Sequence, residues 1–175
     1  MVKGLSIREI NSFDPPIIAT TFSNQGWNKP ESQYKQYLYD HQSGKRNVLI
    51  AELKQTHNLS SFAGYLTIVW ESEYPSFRVQ NIPEIVDFNV LIKYRRMGIG
   101  NALIDEAERR IAERSQIAGI GVGLTPDYGP AHILYIKRGY IPDGRGLFYK
   151  GHHLKWGEQC VVKDDLKLNF TKILR

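Results

Sequence analysis

The sequence predicts an α+β fold, with a mixed, mostly antiparallel sheet of about seven strands flanked by about four helices and a central strand–helix–strand unit. Three observations carry this. Apolar, strand-like runs at 48–53, 62–70 and 85–91 follow one another, as in an antiparallel series. An amphipathic helix at 99–114 separates the last of them from a glycine-bearing run at 117–124, and that succession is expected to form a right-handed parallel crossover. No internal repeat or low-complexity segment interrupts the order.

Each element has its own signal. Residues 5–10 alternate Leu5-Ser6-Ile7-Arg8-Glu9-Ile10 and read as a strand, which Pro15-Pro16 then punctuates. Residues 17–28 carry a helical turn or two, ending near Gly26-Trp27. A second helix opens at Pro30-Glu31, where a missing N–H is tolerated, carries Tyr34, Tyr37 and Leu38 on one face and ends near Gly44. Residues 54–60, with Asn58, read as a hairpin loop, and 71–81 as a polar, proline-containing loop. In the helix at 99–114, Ile99, Leu103, Ala107 and Ile111 recur every fourth residue with Ile104 beside them. Its other face carries Asp105, Glu106, Glu108, Arg109 and Arg110, with Glu106 and Arg110 at a favourable i,i+4 spacing. Residues 131–138 read as a helix stopped by Gly139 at the C′ position. Pro142-Asp143-Gly144-Arg145-Gly146 reads as a turn, while 148–150 and the alternating 166–173 read as late strands.

Composition narrows the class. A chain of 175 residues is expected to form one domain, 1–175, that buries about 70 % of its unfolded surface. Hydrophobic content of 42 % and charged content of 23 % suit a soluble globular protein. No apolar run approaches the ~20 residues of a membrane span, so no membrane partner is expected. The first ten residues alternate and carry charge, unlike a signal peptide. Cys160 is the single cysteine, which excludes an intrachain disulfide and fits a cytoplasmic location. His132, His152 and His153 form no recognisable ligand set, so no metal is expected. The formal net charge of +5 suits a polyanionic small molecule. It comes without a zinc-finger or RNP-type signature, so nucleic acid is not expected as a partner.

The most informative stretch is Arg95-Arg96-Met97-Gly98-Ile99-Gly100, where a strand-like run gives way to a helix. The first N–H groups of a helix have no intrahelical acceptor, and the dipole makes that end favourable to anions. Glycine lets a phosphate approach closely, and the arginines add charge. This points to a phosphate-bearing cofactor.

A second motif follows in order and in a matching element: Ala131-His132-Ile133-Leu134-Tyr135-Ile136-Lys137-Arg138-Gly139-Tyr140. With both, the chain resembles the GNAT superfamily of N-acetyltransferases. The signatures concerned are Gln/Arg-x-x-Gly-x-Gly/Ala and Ala-x-x-Leu-Tyr-x-x-x-Gly-Phe/Tyr, and by element order the resemblance covers nearly the whole chain. It implies the GNAT fold and acetyl-CoA as co-substrate, with the pyrophosphate on the turn and the pantetheine along the preceding strand. There is one departure. Many relatives carry an asparagine before the second helix that bonds the pantetheine, and here that stretch is Pro126-Asp127-Tyr128-Gly129-Pro130.

The resemblance implies roles residue by residue. The amides of Met97, Gly98, Gly100 and Asn101 would hold the pyrophosphate, with Ile99 in the same turn and Arg96 beside it. Arg95 and Lys93 can reach the phosphates of the nucleotide end. The main chain of Phe88, Asn89 and Val90 would pair with the pantetheine amides, and the amide of Val90 would polarise the acetyl carbonyl. Tyr135 would be the general acid, since a phenol near 10 can protonate a thiolate near 8.5 without a large mismatch. For a base, Glu84 matches the strand glutamate of histone-type members and Asp87 an acidic position common in others, with no single base as a further alternative. A free carboxyl lies about six units below an ammonium, roughly 8 kcal/mol. The carboxylate would therefore need a raised pKa, a relaying water, or to take the proton only after attack.

Acceptor-binding residues are expected among Trp27, Tyr34, Tyr37, Trp70, Glu71, Glu73 and Tyr74, whose aromatic and acidic character suits a cationic amine. Plain core packing is the competing reading for Trp70 and Tyr37. The expected reaction is acetyl transfer from acetyl-CoA to a primary amine of a small molecule by direct attack in a ternary complex, with no covalent enzyme intermediate. The alternatives are a non-catalytic acyl-CoA-binding module and a protein or peptide N-acetyltransferase. The strand at 166–173 offers an edge through which a homodimer can pair.

Overall fold

The computed structural model describes residues 3–54 and 60–174. The hairpin loop expected at 54–60 lies outside them except at its two ends. The described residues form eight strands and five α-helices in a mixed α+β arrangement. None of these helices is long and apolar enough to cross a membrane. The backbone divides into two compact units, residues 1–70 with 85–110, and residues 71–84 with 111–175.

The first unit holds β1 (Leu5–Glu9), α1 (Asp14–Asn24), α2 (Glu31–Gln42), β2 (Arg46–Lys54), β3 (Ser60–Val69), all but the first residue of β4 (Glu84–Val90), and most of α4 (Ile99–Ala112). β1 and β2 pair antiparallel from Leu5 opposite Leu53 to Glu9 opposite Leu49. β2 and β3 pair antiparallel from Arg46 opposite Val69, with a bulge at Ala51/Glu52. Pro15 and Pro16 do not end the first strand's neighbourhood as punctuation. They sit in the first turn of α1, where fixed φ suits the helix, so α1 begins earlier than expected. Arg8 grips Asp14 through both terminal nitrogens at 2.7 Å and reaches Glu52 at 2.6 Å. Ile18, Phe22, Tyr34, Ile50 and Tyr65 fill the core, with Tyr65 meeting Phe22 and Tyr34 edge-on at 5.7 and 5.5 Å. The apolar stripe of α4 is buried as its spacing predicted, and Arg110 pairs with Glu106 at 2.7 Å and with Glu9. β3 and β4 approach closely at Gly64, where a Cβ would stand 2.5 Å from the Asn89 carbonyl oxygen.

The second unit holds α3 (Pro75–Val79), β5 (Ile117–Gly123), α5 (Gly129–Lys137), β6 (Ile141–Tyr149), β7 (His152–His153) and β8 (Leu166–Ile173). The expected loop at 71–81 therefore contains a helix. Pro75 opens it and Phe77 is buried, but five residues are too few to show a period. The ring of Phe77 lies against β5 at Gly119, where a Cβ would come within 2.5 Å of it. The expected turn at 142–146 is an irregular stretch inside β6, between Pro142 opposite Phe170 and Leu147 opposite Leu168, with Gly144 and Gly146 both left-handed. β8 pairs with β5 on one side and β6 on the other, both antiparallel. The edge expected at 166–173 is thus absent. Alternation reports which faces of a strand are buried and says nothing of its neighbours.

Candidate active site

In the first unit, β4 runs to Val90 and is followed by one 3-10 turn at Ile92–Tyr94, which the sequence did not announce. Arg96 and Gly98 then both take left-handed conformations, φ 61° and 82°. The first intrahelical bond of α4 is Ala102 N–H to Gly98 C=O at 3.1 Å. Gly98 is therefore the cap, and the amides ahead of Ala102 stand at the helix's positive end. Lys93, Arg95, Arg96 and Met97 are exposed around this turn. Arg95 folds back, with Nε 3.4 Å from the Val90 carbonyl and its guanidinium 5.4 Å above the Trp27 ring. A left-handed glycine cap, a helix N-terminus and exposed cations fit a phosphate-bearing group.

Asp87 lies in β4 with φ 48°, a conformation that costs a non-glycine residue strain. Its carboxylate accepts from Lys29 Nζ, Gln33 Nε2 and Tyr37 Oη at 3.0 Å each, from Asn89 Nδ2 at 2.7 Å, and from the hydroxyl of Tyr65. Burial pushes the carboxyl upward, but the Lys29 charge and the bonds from Tyr65, Lys29 and Tyr37 outweigh it and hold it below its ordinary 3.8. Burial and the Asp87 charge push the Tyr65 phenol far up, and the same two causes push Tyr37 up to about 12. This network joins residues more than fifty positions apart, and the sequence reading foresaw neither Lys29 nor Gln33.

In the second unit, Glu84 is buried and accepts a hydrogen bond from the Ser72 hydroxyl, which itself accepts the Tyr74 amide at 3.0 Å. Gly121 of β5 lies close by. A Cβ there would meet Asn169 Oδ1 at 2.9 Å and Glu84 Oε1 at 3.3 Å. Tyr135 lies on α5, 5 % exposed, with its ring 6.0 Å from that of Tyr140. Burial, and secondarily Tyr128, pushes its phenol well above the ordinary value, so it is protonated at neutral pH. α5 ends as predicted: Arg138 caps it, Gly139 is left-handed, Gly139 N–H bonds to Ile136 C=O and Tyr140 N–H to Tyr135 C=O, both at 3.0 Å.

The expected acceptor residues fall in both units. Trp27 stacks on Phe22 at 5.7 Å and 5° and is half-buried, while Tyr34 is wholly inside the first unit's core. Trp70 is half-buried just beyond β3, and Glu71 is exposed. Tyr74 is buried against Phe77 and Phe148, donates to Asp143 at 2.7 Å and is pushed up to about 12, chiefly by burial. Tyr34 and Tyr74 thus pack as core.

The chain belongs to the acetyltransferase (GNAT) family, which it matches over residues 6–140. That places it among acyl-CoA-dependent N-acetyltransferases in general. No curated protein matches it in sequence. Among solved structures, it is similar to YncA from Salmonella typhimurium with its cofactor acetyl-CoA (12 % identity, TM-score 0.68, covering 99 % of this chain and 95 % of that one). It is also similar to a ribosomal-protein-alanine N-acetyltransferase from Brucella melitensis (19 %, 0.66, 97 % and 99 %). A third is a spermidine N-acetyltransferase chimera of SpeG from Vibrio cholerae and hSSAT (10 %, 0.68, 98 % and 96 %). At these identities the likeness is one of fold.

Proposed function

We propose that the protein transfers an acetyl group from acetyl-CoA to a primary amine of a small molecule by direct attack in a ternary complex, with both units acting as one domain. The observation that carries this is the α4 start, where Gly98 caps the helix beside an exposed, left-handed Arg96. When bound, acetyl-CoA supplies the acetyl group as a thioester. The amides from Met97 to Asn101 hold its phosphates, with Arg96 neutralising charge and Lys93 and Arg95 within the same exposed rim. The main chain of Phe88, Asn89 and Val90 aligns the pantetheine, and the Val90 N–H polarises the carbonyl. Tyr135 supplies the proton to the leaving sulfur. The burial that weakens this phenol as an acid also makes a thiolate beside it more basic, so the two remain matched. Glu84, oriented by Ser72, takes the proton lost by the amine. Asp87, already saturated with donors, serves as an anchor. Trp27, Trp70 and Glu71 are the candidate acceptor contacts.

Release of CoA thiol from acetyl-CoA, measured against a panel of primary amines that includes a polyamine and an N-terminal alanine peptide, tests the reading. Small amines are expected to drive release, and Tyr135→Phe to lower kcat about 100-fold. Binding of acetyl-CoA without release for any amine identifies a non-catalytic module instead.

A further inference from the structure

Lys29 sits in the connection between α1 and α2, and its ammonium is enclosed as a bound cation would be. Nζ donates to Asp87 Oδ1 at 3.0 Å and to the Tyr65 hydroxyl oxygen at 3.1 Å. It also lies 5.4 Å from the centroid of the Phe22 ring and 5.6 Å from that of Tyr65. One carboxylate, one hydroxyl and two aromatic rings make an ammonium receptor.

The receptor does not depend on Lys29 for its shape. Gln33, Tyr37 and Tyr65 hold the other Asp87 oxygen, and Asn89 shares Oδ1. Phe22 and Tyr65 are fixed in the core. The Lys29 and Asp87 side chains keep 24 % and 21 % of their surface exposed, so the seat opens to solvent. Asp87 also holds the left-handed backbone described above, in the strand that ends at Val90. Strain of this kind is characteristic of binding positions.

We propose that the Asp87 cage is a seat for a primary alkylammonium ion, which Lys29 fills in the free protein and which a ligand ammonium takes by displacing the Lys29 side chain. That this ligand is the acceptor amine rests on the acetyl-transfer reading above; the seat itself does not. Asp87 stands three residues before Val90, whose amide the reading assigns to the carbonyl.

The test is thermal unfolding of the full chain without acetyl-CoA, titrated with n-butylammonium chloride against sodium chloride of equal ionic strength. Lys29→Ala is expected to unfold at lower temperature than the wild type and to recover saturably with n-butylammonium but not with sodium. The wild type should need about ten-fold more of the ion, because Lys29 competes. The response should vanish in Lys29→Ala combined with Asp87→Asn. If Lys29→Ala does not fold, Lys29→Met keeps the apolar stem and is titrated in the same way. Folded variants that respond equally to both salts, or an unchanged response after Asp87→Asn, reduce the site to a structural ion pair and overturn the proposal. So does failure of both variants to fold or to be rescued by n-butylammonium. Saturable binding without amine-dependent CoA release sustains the seat and removes the acceptor assignment; CoA release without such binding overturns the seat and leaves the acetyl-transfer reading standing.

Discussion

The Ser72 hydroxyl donates to a carboxylate oxygen of Glu84 while accepting the backbone N–H of Tyr74 at 3.0 Å. The hydroxyl thus bridges the Glu84 carboxylate and the backbone at Tyr74. Glu84→Gln is expected to lower kcat about 100-fold with the KM for acetyl-CoA unchanged. Ser72→Ala should lower kcat about ten-fold, also without a change in that KM. Steady-state kinetics separate the two constants. A loss confined to KM would assign Ser72 and Glu84 to binding.

Arg96 combines a side chain proposed for the phosphates with an unfavourable backbone. Its φ of 61° lies where an L side chain costs about 1–2 kcal/mol and glycine costs nothing. Arg96→Gly should therefore raise the melting temperature by about 2–4 °C while raising the KM for acetyl-CoA about ten-fold through loss of a charge-assisted bond. A calorimetric scan paired with kinetics shows whether the two effects have opposite signs. An unchanged KM would remove Arg96 from the phosphate site.

Gly64 and Gly139 make a contrasting pair. A Cβ at Gly64 meets the Asn89 carbonyl oxygen at 2.5 Å and the Val90 Cα at 3.0 Å, both backbone, so the strand itself must move. Gly64→Ala should cost about 1–3 kcal/mol or more and also raise the KM for acetyl-CoA. Gly139 has nothing within 4 Å and only its φ of 86° to satisfy, so Gly139→Ala should cost about 1 kcal/mol and leave that KM alone. Urea midpoints with kinetics on both variants decide it.

The Asp87 network gives stability a pH dependence of defined sign. The carboxyl is held below 3.8 in the folded chain, so the folded state favours the ionised form. Its contribution is present in full above about 3.8 and is lost as the pH falls toward the lower folded value. The difference in melting temperature between the wild type and Asp87→Asn should be constant from neutral pH down to about 5 and narrow below 4. A gap independent of pH would show that the network acts by packing alone.

What the sequence made legible follows the range of each signal. Ile99, Leu103, Ala107 and Ile111 announce α4 because one helix face is decided by residues four apart, and Gly139 announces the end of α5 because its left-handed bonds span five residues. The glycine turn at the start of α4 is legible for the same reason, being local. Other features have no local trace. Lys29 and Gln33 meet Asp87 only after three elements have packed, and β8 lies between β5 and β6 although its own alternation suits an edge equally well. Pro142 to Gly146 looked like a turn because glycines in left-handed conformations occur both in turns and in irregular strands. The helix at Pro75–Val79 is shorter than two turns and leaves no period to detect.

The place of β8 also sets the timing of assembly. β5 and β6 both precede it in the chain, and each takes it as a hydrogen-bonding partner. During synthesis these two strands leave the ribosome with open ladders, and residues up to Ile173 must emerge before either is closed. The second unit, which carries Glu84 and Tyr135, therefore completes its sheet after translation of nearly everything described here, and until then the β5 and β6 edges that β8 covers stay open to mispairing.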